Sequence, residues 1–208
     1  MLGVICNSPP TPRPLGQIRS HRIEGTTPAY LENAVQLSLA ASQADGTVKV
    51  TATLFNHATG HHVPTGVTIR NMVLLVEATT ASGDPLTFTG TQRVGVFGGE
   101  GDPKQGYYAG LPGKLYAKII EDAAGNAPTF FTDAKRIRED NRIAALASDV
   151  THYRFAAPSG GGPVTVSARV IYRRSFRALT DAKGWTHDGH GRPLADLAPP
   201  HFGHLMTS

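Results

Sequence analysis

The sequence predicts an all-β protein: an antiparallel, Ig-like β-sandwich of about seven to nine strands, with an extended N-terminal arm and an irregular C-terminal tail. Three observations predict it. Apolar and polar residues alternate with a period of two through most of the middle of the chain, as in strands with one buried and one wet face. Clusters of Gly, Pro, Asn and Asp punctuate that alternation at short intervals. Segments with the 3.6-residue period of a helix are few.

Residues 1–25 read as the arm, because Ser8-Pro9-Pro10-Thr11-Pro12-Arg13-Pro14 favours extended polyproline geometry and cannot be helical. Residues 26–178 carry the sandwich. Thr27 and Pro28 suit the cap and first position of a one- or two-turn helix through Ala34. Val35–Leu39 alternates. Val48, Val50, Ala52 and Leu54 fall on one face of a strand, with Thr47, Lys49, Thr51 and Thr53 on the other. Met72–Val76 is an unbroken apolar run. Leu86–Thr89, Arg93–Phe97 and Leu115–Ile120 are shorter candidates, and Thr151–Phe155 alternates again. In the last strand Val164, Val166, Ala168, Val170 and Tyr172 alternate with Thr165, Ser167, Arg169 and Ile171. The turns are Ala44-Asp45-Gly46, Ser82-Gly83-Asp84-Pro85, Ala124-Gly125-Asn126 and Ser159–Pro163. Residues 179–208 lose all periodicity and are rich in Gly, Pro and His.

Composition narrows the partners. Of 208 residues, 40% are hydrophobic, enough for a core. Only 17% are charged, a surface common among secreted and periplasmic sandwiches. The net charge of +4 permits an acidic partner. The basic residues are scattered, with no stripe interleaved with aromatics, which argues against nucleic acid. Cys6 is the single cysteine, so neither an internal disulfide nor a Cys-based zinc site is available. Met1–Cys6 does not read as a lipidation signal, because Ile5 is bulky where a small residue is expected and the apolar stretch is short. No run approaches the roughly 20 apolar residues of a membrane span.

The most informative segment is Gly60-His61-His62-Val63-Pro64-Thr65-Gly66, with Arg70 four positions on, between two strand-like runs. Upstream lies Ser20-His21-Arg22-Ile23-Glu24-Gly25, and downstream Asp140-Asn141-Arg142-Ile143 and the final strand Val170–Arg174. This order of motifs, from about Ser20 to Arg174, resembles the β-sandwich module at the C-terminal end of bacterial multihaem c-type cytochromes. Ala144 and Ala145 stand where prolines are usual in that family. The haem-attachment signature C-x-x-C-H is absent. The resemblance therefore implies the protein part of an extracytoplasmic electron-transfer assembly, with no covalently bound cofactor and any haem c contributed by a partner. A respiratory chain, an extracellular cytochrome filament and a photosynthetic reaction centre with a bound cytochrome are all compatible with it.

Each candidate residue has a structural reading beside the functional one. Neutral imidazole is a good axial ligand for haem iron. The resemblance implies that role in trans for His21, which otherwise is a surface histidine between Arg19 and Arg22. His61 and His62 either lock their turn through backbone carbonyls, touch a haem edge, or bind a bare metal. Arg70 pairs with a carboxylate such as Asp140, or clamps a propionate. Arg142 and Trp185 are candidates for docking on a partner. In Trp185-Thr186-His187-Asp188-Gly189-His190, His187 and His190 with Asp188 could share one copper or zinc ion.

No nucleophile elbow, HExxH motif or P-loop is present, so an enzyme is not expected. Three classes stay open. The first is a non-catalytic accessory subunit on the periplasmic or extracellular face, docking on a c-type cytochrome and shielding or positioning its haems. The second is a free-standing Ig-like binding module for a polysaccharide or surface partner. The third is a small periplasmic metal-binding protein. The first is preferred. Leu15, Ile18, Ile23, Trp185, Leu197, Phe202 and Leu205 lie in unpatterned segments, and partner subunits are expected to cover them. Deleting residues 1–19 and 180–208 is then expected to leave the sandwich folded but unable to associate.

Overall fold

A computed structural model describes residues 24–208; the proline-rich stretch, Cys6 and His21 lie outside the described residues. Among those described, eight strands form two antiparallel sheets. The smaller contains β1 (Gln36–Ala44), β2 (Thr47–Phe55) and β6 (Ser148–Ala156), in the order β1-β2-β6. The larger has the order β5-β4-β3-β7-β8, built from β3 (Asn71–Thr80), β4 (Gly113–Glu121), β5 (Arg136–Asp140), β7 (Val164–Arg173) and β8 (His204–Thr207). Two short helices, α1 (Pro28–Leu31) and α2 (Arg177–Lys183), flank them. This is the all-β sandwich that the alternation predicts.

Two apolar cores result. Between the sheets, Val48, Val50, Ala52 and Leu54 of β2 and Tyr153 and Phe155 of β6 share a cluster with Met72, Leu74, Val76, Val170 and Tyr172. The opposite face of the larger sheet is buried as well. There Val73, Leu75, Leu115, Ala117, Ile119 and Ile171 cluster with Val94, Tyr108, Phe176, Leu179 and Phe202. A strand buried on both faces needs apolar residues at every position. That is why Met72–Val76 does not alternate, and why Ile171 breaks the polar side of β7.

The second cover explains where expectation and structure part. Arg93–Phe97 is not a strand: Arg93 makes one bridge to Pro112, Val94 is buried, and Val96–Gly98 is a 3-10 helix. Leu86–Thr89 contributes only an isolated bridge between Phe88 and Phe155. Their apolar residues pack down on a sheet face and do not extend a ladder. The tail of residues 179–208 is irregular only in part. It begins within α2 and ends in β8, whose four residues are too few to show a period. Phe202 is buried in the chain's own second core and Met206 in the first, so Phe202 needs no partner to cover it. Burying one such side chain is worth about 1.5–3 kcal/mol, against a whole-domain stability of about 5–15 kcal/mol. Truncation at residue 180 therefore strips an edge strand and part of both cores, and does not leave an intact sandwich.

One charged group holds this cover in place. Arg173, at the end of β7, is fully buried. Its Nε donates to the Phe202 carbonyl at 2.9 Å, Nη1 to that of Gly98 at 3.1 Å and Nη2 to that of Gly106 at 2.6 Å. The guanidinium also sits 4.5 Å from the centre of the Tyr108 ring. Burial lowers its pKa from the usual arginine value, but the group stays charged at any working pH.

Candidate functional site

The His61 loop begins where β2 ends. Asn56 is fully buried there. Its amide nitrogen donates to the carbonyls of His61 at 2.8 Å, Ile143 at 3.1 Å and Ala144 at 3.0 Å. Its Oδ1 accepts from the Thr59 hydroxyl at 2.6 Å. Val63 and Ile143 exchange backbone hydrogen bonds of 2.9 and 3.0 Å. The Gly60–Gly66 and Asp140–Ile143 segments, about eighty residues apart in the chain, are thereby one piece of structure.

The spacing from Thr65-Gly66 to Arg70 has a steric cause. Gly66 has φ +91°, and a Cβ there would collide with the Arg70 guanidinium. Arg70 lies against the bare loop backbone and donates to the Thr65 carbonyl at 3.3 Å. Gly66→Ala should therefore lose about 2 kcal/mol of stability through backbone strain and displaced Arg70. Urea unfolding checks this, and an unchanged midpoint would refute it.

The expected pairing of Arg70 with Asp140 does not form. Asp140 instead takes a bidentate fork from Arg142, Nε to Oδ1 and Nη2 to Oδ2, both 2.7 Å. Arg142 lies two residues away, and the fork geometry favours it over a group directed at the loop. The Arg142 hydrogen bonds hold the Asp140 carboxyl below the usual carboxylate range. Arg70 makes no ion pair among the described residues. It lines one small cleft with Thr65, Lys118 and Arg142. It lines a second, of about 130 Å³, with Tyr30, Thr59, His61 and Tyr172. The Tyr172 hydroxyl is buried with no hydrogen-bond partner, and burial pushes its pKa up to about 12.

His61 and His62 are exposed. His61 Nδ1 lies 3.0 Å from the His62 carbonyl oxygen. A carbonyl only accepts, so the contact puts the proton on Nδ1, and in the neutral imidazole Nε2 then keeps its lone pair. A carbonyl on the other ring nitrogen is the usual support for a metal-ligating histidine. His61 thus makes the backbone-carbonyl contact of the turn-locking reading, and Asn56, which sequence patterning missed along with Lys118 and Tyr172, adds three more. The clue to Asn56 was Asn at a strand end, three residues before Thr59 and just ahead of the glycine.

The tail candidates lie elsewhere. Trp185 and His187 line a cleft of about 240 Å³ with Ile69, Arg174, Leu194 and Asp196. His190 is not among the residues lining it. Asp188 is not free to join His187 and His190 around an ion. It accepts from the backbone N–H groups of His190 and Arg192 and from the Arg192 guanidinium, which hold its carboxyl at about 2. Among the described residues no three His, Cys, Asp or Glu side chains converge as a metal site. A covalent haem does not fit the chain's single thiol.

No family model matches the chain, and no curated protein matches it. Among solved structures it is similar to a penta-heme cytochrome c552 from Thermochromatium tepidum, with a TM-score of 0.61 at 21% identity. The alignment covers 88% of this chain and 40% of that one, so the chain spans about two fifths of the cytochrome's length.

Proposed function

We propose that the chain is a non-catalytic accessory subunit of an extracytoplasmic electron-transfer complex, which docks on a c-type cytochrome through the face bearing His61, His62, Arg70 and Arg142. One observation carries the reading. The two segments behind the cytochrome resemblance, Gly60–Gly66 and Asp140–Ile143, meet at Asn56 beside a small cleft lined by Arg70, Lys118 and the Asp140-paired Arg142, on a fold similar to part of a pentahaem cytochrome. A haem c of the partner, when bound, supplies the electron transfer and presents two propionate carboxylates. Arg70 and Lys118 offer N–H donors to such carboxylates, and His61 Nε2 is the accessible imidazole lone pair. With a partner's haem at this face, the sandwich behind it would cover the haem edge and keep water from it. His21, outside the described residues, is the second imidazole the resemblance assigns to this role.

Affinity purification of the tagged chain from its native host tests the reading. The wild-type chain should bring down a c-type cytochrome, seen as a Soret band that co-migrates and weakens with rising salt. Reversing Arg70 and Lys118 to Glu should reduce recovery roughly tenfold at a temperature well below the variant's own unfolding midpoint. A colourless eluate at low salt would refute the proposal.

A further inference from the structure

We propose that the cleft between α1 and the His61 loop binds a carboxylate carried on a short alkyl stem, with Arg70 and Tyr172 as donors and an apolar wall for the stem. The assignment deepens the docking reading, and rests on it for the partner as a source of that carboxylate. It begins with the donors. Tyr172 is only 4% exposed, and its hydroxyl meets no acceptor. A buried phenol in that state forfeits the hydrogen bond it makes in water. Arg70 lines the same cleft. Burial pushes the Tyr172 pKa up and the Arg70 charge pulls it back, so the two groups are close enough to interact. Among the described residues the Arg70 guanidinium makes one hydrogen bond, from Nη1 to the Thr65 carbonyl, and that is long at 3.3 Å. The rest of its planar fork has no acceptor.

The chain has no anion of its own for these donors. No Asp or Glu lines the cleft. Residues 1–23 contain neither, so that segment has no side-chain carboxylate to bring to Arg70. The remaining wall is apolar, with Leu31, Ala34, Val63 and Met206 all buried.

That combination selects the guest. A carboxylate only accepts, and its two oxygens serve a guanidinium and a phenol together. Bare phosphate or sulfate would meet the donors but leave the apolar wall facing an ion. The volume of about 130 Å³ far exceeds the ~10–15 Å³ that one water needs. It falls below the ~300–1,000 Å³ of sites for drug-sized molecules. A carboxylate on a stem of two or three carbons suits that scale. Two sources share this chemistry: a propionate arm of the partner's haem c, which the docking reading supplies, and a free short-chain acid.

Saturation-transfer NMR on the full chain, with sodium butyrate as probe at fixed ionic strength and well below each unfolding midpoint, tests the site. Butyrate should bind with a dissociation constant of about 1 mM, and neutral butyramide at least roughly tenfold more weakly. Tyr172→Phe and Arg70→Gln should each weaken butyrate roughly tenfold. Tyr172→Phe removes only an unpaired hydroxyl, so its thermal midpoint should equal or exceed that of the wild type. A lower midpoint would give the hydroxyl an acceptor within the chain and overturn the assignment. So would butyrate that binds no better than butyramide, or binds Tyr172→Phe as it binds the wild type. Either result leaves the docking reading to the cytochrome recovery, which is measured separately. A soluble haem c peptide and its propionate dimethyl ester then separate the sources. Preference for the free acid form, lost in Tyr172→Phe, assigns the cleft to the haem arm. Equal binding of both forms, with butyrate still bound, assigns it to a free short-chain acid.

Discussion

Replacing Arg173 by Met should destabilise the protein by about 4 kcal/mol. Methionine matches the reach of the side chain but donates no hydrogen bond. The carbonyls of Phe202, Gly98 and Gly106 would then face a buried apolar group. An orphaned buried acceptor costs about 1–3 kcal/mol, and Gly98 retains a backbone donor from Tyr108 at 3.3 Å. A buried ion pair is often replaced by apolar residues without loss, because both partners go. Here the acceptors are backbone and cannot be removed. Guanidinium unfolding should show a lower midpoint at unchanged slope. Arg173→Lys should fall between, since one ammonium cannot span three carbonyls that lie around a planar fork. A Met variant within about 1 kcal/mol of wild type would show that the second core holds without the arginine.

The second large effect is expected at Asn56. Asn56→Asp is isosteric but points carboxylate oxygens at three carbonyls that now accept from an amide. A loss of about 3 kcal/mol at neutral pH is expected. The sign with pH follows from burial, which favours the neutral acid in the folded state and raises its folded pKa. The penalty should therefore shrink below the unfolded value of about 3.9 and grow as pH rises above it. Unfolding midpoints at pH 3.5 and pH 7, compared with wild type at each pH, check both claims. Recovery of the cytochrome should fall with this variant even where the fold survives, because the loop loses its tie to Ile143 and Ala144. A variant as stable as wild type at neutral pH would mean that the loop is held from elsewhere.

Strands with one wet face were legible because alternation is a direct image of burial. β2 shows it over its whole length, and its burial alternates in the structure as its residues do. β3 was legible as a strand, but not as one buried twice, because an unbroken apolar run does not say what covers each side. The cover itself was illegible. Between residues 92 and 112 the backbone turns on glycines with positive φ, and Gly98 and Gly106 present their carbonyls to Arg173. Nothing periodic records such a fold-over. Arg173 did leave a trace, as a charge on the same strand face as Ile171. At the candidate site the motif residues were legible by name and their partners were not. Arg70 and Asp140 were a reasonable pair by charge, but side-chain reach assigned Asp140 to Arg142 and Arg70 to a loop carbonyl. Hydrogen bonds from one side chain to distant backbone, such as those of Asn56, have no signature in spacing.

The strand order also governs how the chain reaches this structure. Only β1 and β2 are joined by a tight turn. β2 finds its other neighbour about a hundred residues away, with Thr47 opposite Ala156, and β3 pairs with β7 across a similar separation, Thr80 opposite Val164 at the nearest. Such pairings close long loops before any contact rewards them, the regime of millisecond-to-second folding. Both strands that complete the central pairs, β6 and β7, come late in the chain, and β8 closes the larger sheet last. During synthesis the β1–β2 hairpin must therefore wait, its apolar face unmatched, until most of the protein has emerged.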